Sequence, residues 1–163
     1  NSALPITVAK ENSQAAATVN ANNLVKMLAR FKGNMANAEW YLNPDVLPQL
    51  PLMTVGNQPV FIPGGSFANA PFGTLFGRPI VPLEFCETLG TKGDIILGDF
   101  SEYMIVQKGG MEVAESMHVK FLTDEMAYRF ITRVDGQPMH NEPITPLKGN
   151  NTLSPFVMLA ARA

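Results

Sequence analysis

The sequence predicts an α+β protein with more strand than helix. One amphipathic segment, residues 20–32, has helical spacing of its apolar side chains. Short strand-like segments follow it without the regular alternation of strand and helix that marks a parallel α/β fold. The longest run of strand-like sequence lies at residues 93–136, where glycines mark the turns. These observations favour the α+β class.

The composition fits one domain, or two small lobes that share a core, in 163 residues. Apolar residues make up 46% of the chain, which is enough for a core without metals or disulfides. Only 16% are charged, which is typical either of a protein that covers its surface with partners or of a domain rich in surface Asn, Thr and Ser. The net charge of −2 and the lack of a basic cluster argue against a nucleic-acid reader.

Three further features limit the class of protein. The single cysteine, Cys86, excludes an internal disulfide. No apolar run approaches the roughly 20 residues that span a membrane, and the first residues do not have the pattern of a signal peptide. Because the sequence starts at Asn1 without Met, we expect a fragment or a processed product.

Residues 1–19 have no clear period and are predicted to form an irregular segment. In the helix predicted next, Asn20 is the expected N-terminal cap, and Gly33 is the expected left-handed stop. Its inward face carries Leu24, Leu28 and Phe31, beside Ala21 and Met27.

Glu39–Leu42 is predicted as a strand, and Asn43 followed by Pro44 as the start of a helix that Pro48 limits to a turn or two. Residues 51–77 are rich in Pro and Gly and predict loops around a short strand at 60–62. The rings in this region either pin the loops to the core or stay exposed for a subunit contact; they are Phe61, Phe67, Phe72 and Phe76.

The remaining segments predict a series of strands. Arg78–Pro82 and residues 94–98 each form one, and Tyr103–Gln107 pairs with residues 111–116 around a turn at Gly109 and Gly110. A helical turn is expected at 119–124. Residues 125–134 alternate between a mostly apolar and a wetter face and predict a strand that ends in a turn at Asp135 and Gly136. Residues 155–160 predict a last strand that returns to a sheet.

A search for catalytic groups finds few candidates. Cys86 with His118 or His140 could form a nucleophile pair, but the residues around Cys86 do not resemble a nucleophile turn, and the spacing does not suit zinc. Glu84 and Glu87 could act as paired carboxylates, although solvated surface acids are far commoner. The sequence therefore predicts no catalytic, cofactor-binding or metal-binding residue.

Glycine pairs and isolated arginines complete the list of candidates. Gly64-Gly65 and Gly109-Gly110 do not match any phosphate-binding loop. Arg78, Arg129 and Arg133 stand next to or within predicted strands, where arginine more often holds a carboxylate than a phosphate. We expect Arg129 and Arg133 to pair with acids in the fold or at a seam between subunits.

Several short patterns occur along the chain in a fixed order. They are WYLNP at 40–44, GRPIV at 77–81, GDIILGDFSEY at 93–103, KGG at 108–110, FLTD at 121–124 and AYRFITRVDG at 127–136. In this order and spacing, across residues 18–146, they resemble the tailed-phage major capsid proteins of the Hong-Kong-ninety-seven-type fold. The helix at 20–32 occupies the place of the family's helix before the N-P segment.

The resemblance implies a structural protein of a tailed phage or prophage. Copies of the full-length subunit would self-assemble into pentamers and hexamers of an icosahedral shell that encloses double-stranded DNA without reading its sequence, and no membrane would be involved. The protein would then be found in the virion capsid, and in the host cytoplasm during assembly. Residues 20–105 would form the axial domain, a mixed sheet flanked by helices, and residues 106–163 the return strands of the peripheral domain and a tail.

The resemblance also implies that the family's N-terminal arm, extended loop and most of its spine helix precede this chain. By itself the chain is then expected to be a monomer or a weak oligomer. Two alternatives stay open at this point. An encapsulin-like compartment shell shares the fold, and a small hydrolase that uses Cys86 and a histidine belongs to another class.

Overall fold

A computed structural model describes residues 4–64 and 71–162. These residues form one α-helix, α1 (Ala21–Arg30), and 3₁₀ helices at Pro44–Leu52, Phe100–Glu102 and Phe121–Thr123. The strands are β1 (Ile6–Val8), β2 (Glu39–Leu42), β3 (Thr54–Val55), β4 (Gln58–Pro59), β5 (Phe61–Ile62), β6 (Thr74–Leu75), β7 (Arg78–Pro82), β8 (Ile95–Gly98), β9 (Tyr103–Gln107), β10 (Glu112–Ser116), β11 (Ala127–Ile131), β12 (Val134–Pro138) and β13 (Phe156–Leu159). No helix among them is long and apolar enough to cross a membrane.

The chain folds into two compact units. The first unit takes the described residues up to Glu102 and those from His140 onward, and the second unit is Tyr103–Met139. The chain therefore leaves the first unit once and returns to it once.

The first unit is built on a seven-stranded mixed sheet in the order β1-β13-β8-β2-β7-β6-β5. The β1–β13 and β2–β7 pairs are parallel, and the other neighbours are antiparallel. This agrees with the predicted α+β class. The final strand, predicted at 155–160, returns to the sheet as expected and pairs with β8.

One face of this sheet carries the core. Trp40 and Leu42 on β2 lie opposite Leu97 and Ile95 on β8, and all four side chains are fully buried. Their cover comes from Leu24 and Met27 of α1 and from Val46 and Leu50 of the first 3₁₀ helix. Each such side chain contributes about 1.5–3 kcal/mol by its removal from water, so this face holds the first unit together.

Helix α1 confirms the predicted apolar face but not the predicted stop. Phe31 has extended backbone, with φ −77° and ψ 132°, and the chain then runs beside Ser154, whose carbonyl accepts from the Lys32 amide. Gly33 is not left-handed. Its role is space, because a Cβ there would lie 2.8 Å from the Phe31 ring.

The N-terminal segment is more ordered than its sequence predicts. Residues 1–19 were expected to be irregular, yet Ile6–Val8 forms the edge strand β1 beside β13. Leu4, Ile6 and Val8 are buried. A three-residue strand is too short to show a period in the sequence, and its pairing with the far end of the chain decides its structure.

The second unit is one long two-stranded ribbon, and the predicted hairpin at Gly109 and Gly110 is wrong. β9 pairs with β12 and β10 pairs with β11, so the chain reverses between β10 and β11. At the two glycines, four residues (108–111) face only Thr132 and Arg133 of the other strand, which makes a bulge. Gly109 takes φ +71° there, a conformation that glycine adopts without strain.

The same bulge explains a second correction. The strand predicted at 125–134 is divided into β11 and β12, and Asp135 and Gly136 lie inside β12 rather than in a turn. The helical turn predicted at 119–124 is confirmed by the 3₁₀ helix Phe121–Thr123.

Other local predictions are confirmed. Strands β2, β7 and β9 have the predicted bounds, and the Asn43 side chain caps the first 3₁₀ helix by accepting from the Asp45 amide at 3.0 Å. Phe61 and Phe76 pack against the core, whereas Phe72 is 52% exposed. Phe67 and Gly65 lie outside the described residues.

Candidate assembly surfaces

The two aspartates of the GDIILGDF run are buried and partnered rather than exposed on the surface. Asp94 and Asp99 stand at the two ends of β8, and both are fully buried. Asp94 forms a buried ion pair with Arg162 and also accepts from the Gly90 amide at 3.0 Å. The Arg162 Nε donates to the Thr18 carbonyl at 2.6 Å, so this pair joins three distant segments of the chain.

Asp99 holds the loops on its side of the sheet. Its Oδ2 accepts from the Asn34 amide at 2.9 Å, and its Oδ1 accepts from the Ser101 hydroxyl at 2.6 Å and the Ser101 amide at 3.0 Å. Burial alone would raise the pKa of this carboxyl group, but the hydrogen bonds from Ser101 and Asn34 outweigh it and hold the pKa below its usual value. Asp99 is therefore a charged structural group.

The aromatic side chains beside Asp99 are also structural. The Phe100 ring meets Tyr41 edge-on at 5.1 Å and Phe156 at 5.4 Å between ring centroids. The Tyr41 hydroxyl donates to Glu39 at 2.7 Å. Burial, with help from Glu39, raises the pKa of Tyr41, so this phenol stays protonated and is not a general base.

Cys86 is poorly suited to nucleophilic chemistry. Burial and, to a smaller extent, the nearby Asp94 charge raise the pKa of the Cys86 thiol, whereas a reactive cysteine needs a lowered pKa. No hydrogen bond joins this thiol to a histidine in residues 4–64 and 71–162. His140 lies in the same unit, 4.0 Å from a Glu102 carboxylate oxygen, and His118 lies in the second unit.

The remaining sequence candidates are not brought together either. Glu84 and Glu87 are exposed in the loop after β7, and the described residues hold no group of three potential metal ligands. A cavity of about 600 Å³ opens beside the start of α1, but its lining, including Asn20, Gln49 and Leu52, contains no ionisable side chain. Such a cavity cannot supply acid–base catalysis.

The predicted arginine contacts are met in part. Arg133 pairs with Glu112 at 3.2 Å on the exposed ribbon, which confirms the expectation for this residue. Arg129 has no carboxylate partner in the described part of the chain, so its pairing at a subunit seam stays a prediction. Arg78 instead donates to the carbonyl groups of Met35 and Ala36 and holds that loop.

The most distinctive surface is the ribbon of the second unit. Val113 lies opposite Phe130 and Glu115 opposite Tyr128 on one face, and Ala114 lies opposite Arg129 on the other. Val113, Tyr128 and Phe130 are each about 60% exposed (57%, 60% and 63%). The alternation read from the sequence places Tyr128 and Phe130 on one face correctly. The sequence did not show that this apolar face is uncovered within its unit.

Exposed apolar side chains continue at the end of the ribbon. Val119, Phe121 and Leu122 are 75%, 73% and 97% exposed in the segment that joins β10 to β11. Apolar clusters of this kind are typical of contacts with other protein surfaces. A two-stranded ribbon is also only marginally stable by itself, so packing of another surface on this face would stabilise it.

Comparison with known proteins agrees with this geometry. The sequence model described as "Phage capsid family" matches residues 3–149. Two solved structures, the capsids of an empty and of a native GTA particle, superpose with TM-scores of 0.61 and 0.63 at 19% and 17% identity. Each covers 96% of this chain, which spans about half of theirs (50% and 49%), and at this identity the likeness shows the fold. No curated protein sequence matches.

Proposed function

This chain belongs to the phage capsid family, and on that premise we propose that it is the shell-forming part of a major capsid subunit. Members of this family are structural proteins and not enzymes. The proposed function is self-association of copies into the pentamers and hexamers of an icosahedral shell around double-stranded DNA, as a component of the virion. The observation that carries the proposal is the apolar ribbon face, which has no cover in its own unit.

We assign the two units to two roles in the shell. The first unit would correspond to the axial domain, because its mixed sheet has a buried core and buried, partnered charges. This assignment moves the described residues from His140 onward, which the resemblance placed with the peripheral strands, into the axial part. The second unit would correspond to the peripheral domain. Its apolar face would be covered in the shell by a neighbouring copy of the capsid subunit.

The charge of the chain suits DNA that is enclosed rather than read. The net charge is −2, so the chain as a whole has no excess of positive charge to neutralise phosphates. In a shell of subunits without excess positive charge, contacts between protein subunits would supply the free energy of assembly.

The test is to produce the complete polypeptide that contains this chain and to examine it by electron microscopy and light scattering. Large closed particles are expected. Matched subunits with Val113→Ser and Phe130→Ser should stay small, and Ala114→Ser on the opposite face of the ribbon serves as the control. A complete polypeptide that remains monomeric under all conditions would count strongly against the proposal.

The same preparation separates the alternatives. Particles that enclose protein cargo instead of DNA would favour the encapsulin-like shell. The hydrolase alternative is disfavoured by the buried thiol of Cys86, whose pKa is raised. It would need turnover that disappears when Cys86 is alkylated.

A further inference from the structure

The loop after β7 presents one phenylalanine almost completely to solvent. Phe85 is 98% exposed, a value matched among the large hydrophobic side chains of the described residues only by Leu122 (97%) and Leu147 (99%). A phenylalanine in water forgoes the free energy that burial of its ring would contribute.

The backbone on both sides of Phe85 is fixed. The Leu83 amide donates to the Leu42 carbonyl at 2.8 Å, and the buried Asn43 side chain donates to the Cys86 carbonyl at 2.8 Å. The Cys86 amide closes the turn on the Leu83 carbonyl at 3.2 Å. The ring therefore stands on a preorganised turn, which lowers the entropy lost on binding.

Two free carboxylates flank this ring. Glu84 and Glu87 are both exposed, and neither pairs with a cation in the described ranges. A surface that receives Phe85 should therefore combine an apolar floor with a basic rim.

The bulge of the ribbon offers such a surface. An open cleft of about 430 Å³ is lined there by Val106, Thr132 and Val134, with Lys108 and Arg133 beside them. A closed cavity of about 150 Å³ holds a benzene ring, so the volume of this open cleft does not exclude a phenyl group. Asp135 also lines the cleft, and one of its oxygens accepts from the Gly136 amide at 2.8 Å.

The charges of the cleft match those of the loop. Lys108 has no acidic partner among the described residues, and Arg133 shares only an exposed pair with Glu112. The cavity of about 600 Å³ beside α1 has no charged lining. The surface beside Phe121 has one lysine, Lys120, which is paired with Glu125, whereas the bulge cleft has two cations against the single lining carboxylate of Asp135. Charge complementarity thus favours the bulge cleft over these surfaces.

We propose that Phe85 of one copy inserts into the cleft at the ribbon bulge of a second copy, with Glu84 and Glu87 facing Lys108 and Arg133. This inference rests on the proposed function, since it names one contact between shell subunits. The Phe85 loop and the cleft are different surfaces of the chain, so the contact is heterologous. Its repetition builds rings or arrays rather than a closed dimer. One ring buries far less than the roughly 800 Å² per partner of a stable interface, so the contact acts together with others.

The first test is photo-crosslinking of this chain in solution. Phe85 is replaced by photoreactive benzoylphenylalanine in copies mixed with isotope-labelled ones, and the crosslinked peptides are mapped by mass spectrometry. Crosslinks between copies to residues 106–108 or 132–135 are expected. Crosslinks that join other sites, that stay within one copy, or that do not form at the highest soluble concentration would each overturn the proposal.

The second test is a charge exchange followed by sedimentation. Phe85→Ala should lower the association constant by about tenfold or more, as for a central anchor, and Leu147→Ala is the matched control with no expected effect. Glu84→Lys with Glu87→Lys, and separately Lys108→Glu, should each weaken association, and mixing the two proteins should restore it. Absence of that rescue contradicts the pairing.

The outcome for this contact is separable from that for the proposed function. If complete subunits form particles while the crosslinks from position 85 map elsewhere, the insertion of Phe85 into the cleft is refuted and the proposed role in the shell is not. Because all substituted side chains are exposed, the fluorescence of buried Trp40 and the circular dichroism should remain unchanged and show that the variants are folded.

Discussion

The buried pair of Arg162 and Asp94 permits a quantitative test of what holds the first unit together. Arg162→Met removes a guanidinium group that donates to Asp94, to the Thr18 carbonyl and to the Ala160 carbonyl. Asp94 then keeps only the Gly90 amide as a donor, in a site with no exposure to water. The Thr18 carbonyl remains satisfied by Gln14, so the main loss is the uncompensated carboxylate.

Breaking one side of a buried ion pair costs about 3–5 kcal/mol, whereas the whole stability of a domain is about 5–15 kcal/mol. We therefore expect Arg162→Met to remove about a fifth or more of the stability of the first unit. Asp94→Asn with Arg162→Met removes both charges and keeps an acceptor for Gly90. This double variant should recover at least half of the loss.

The assay is urea unfolding followed by the fluorescence of Trp40, which is the single tryptophan of the chain and is fully buried in the first unit. Lys26→Met is the matched control, since Lys26 pairs with Glu11 at 2.7 Å while its side chain is 57% exposed. Exposed pairs contribute about 0–1 kcal/mol. The reasoning fails if Arg162→Met costs no more than this control, or if the two substitutions add without coupling.

Other predictions concern single features of the two units. Asp99→Asn should lower the free energy of unfolding by about 1–3 kcal/mol at neutral pH. Because the pKa of Asp99 is lowered in the folded state, the difference between wild type and variant should be complete above the ordinary pKa of 3.8 and should decrease as the pH falls through the lowered pKa. A difference that does not change between pH 7 and 2 in urea titrations would contradict it. The Cys86 thiol should react with iodoacetamide at least about tenfold more slowly in the folded protein than in urea, and equal rates would show that it is accessible. Gly109→Ala should weaken the ribbon by about 1–3 kcal/mol because Gly109 has φ +71°. Gly110→Ala should not, because Gly110 lacks a positive φ and a Cβ there meets open space. Hydrogen exchange of the β10 and β11 amides measures both effects.

Much of the first unit could be predicted because its signals are local. Asn43 and Pro44 start a 3₁₀ helix where their side-chain chemistry requires it, and β2 and β7 have the predicted bounds. Strand β1 could not be found in this way, since its three residues gain their structure from pairing with β13, about 150 positions away. Gly33 shows the same limit, because its neighbours Phe31 and Asp99 are set by the tertiary fold.

The hairpin predicted at Gly109 and Gly110 is wrong for a different reason. Two adjacent glycines between strands fit a hairpin turn, and they fit equally well a bulge that bends one strand of a longer pair. Only the partner decides, and here it is β12 rather than β10 that pairs with β9. The resemblance to the capsid family does not depend on which strands are paired, and the family model matches residues 3–149.

The two units use their apolar and charged residues in opposite ways, which bears on how variants should be read. In the first unit, Asp94, Asp99 and Arg162 are buried and partnered, so their substitution lowers the free energy of unfolding. In the second, Val113, Phe130 and Arg129 are exposed, so their substitution should leave the unfolding of the isolated chain nearly unchanged and act on contacts between subunits. A capsid variant in the GDIILGDF run should therefore fail at folding, before any particle forms, whereas a variant in β10 or β11 should accumulate as folded subunits that do not assemble.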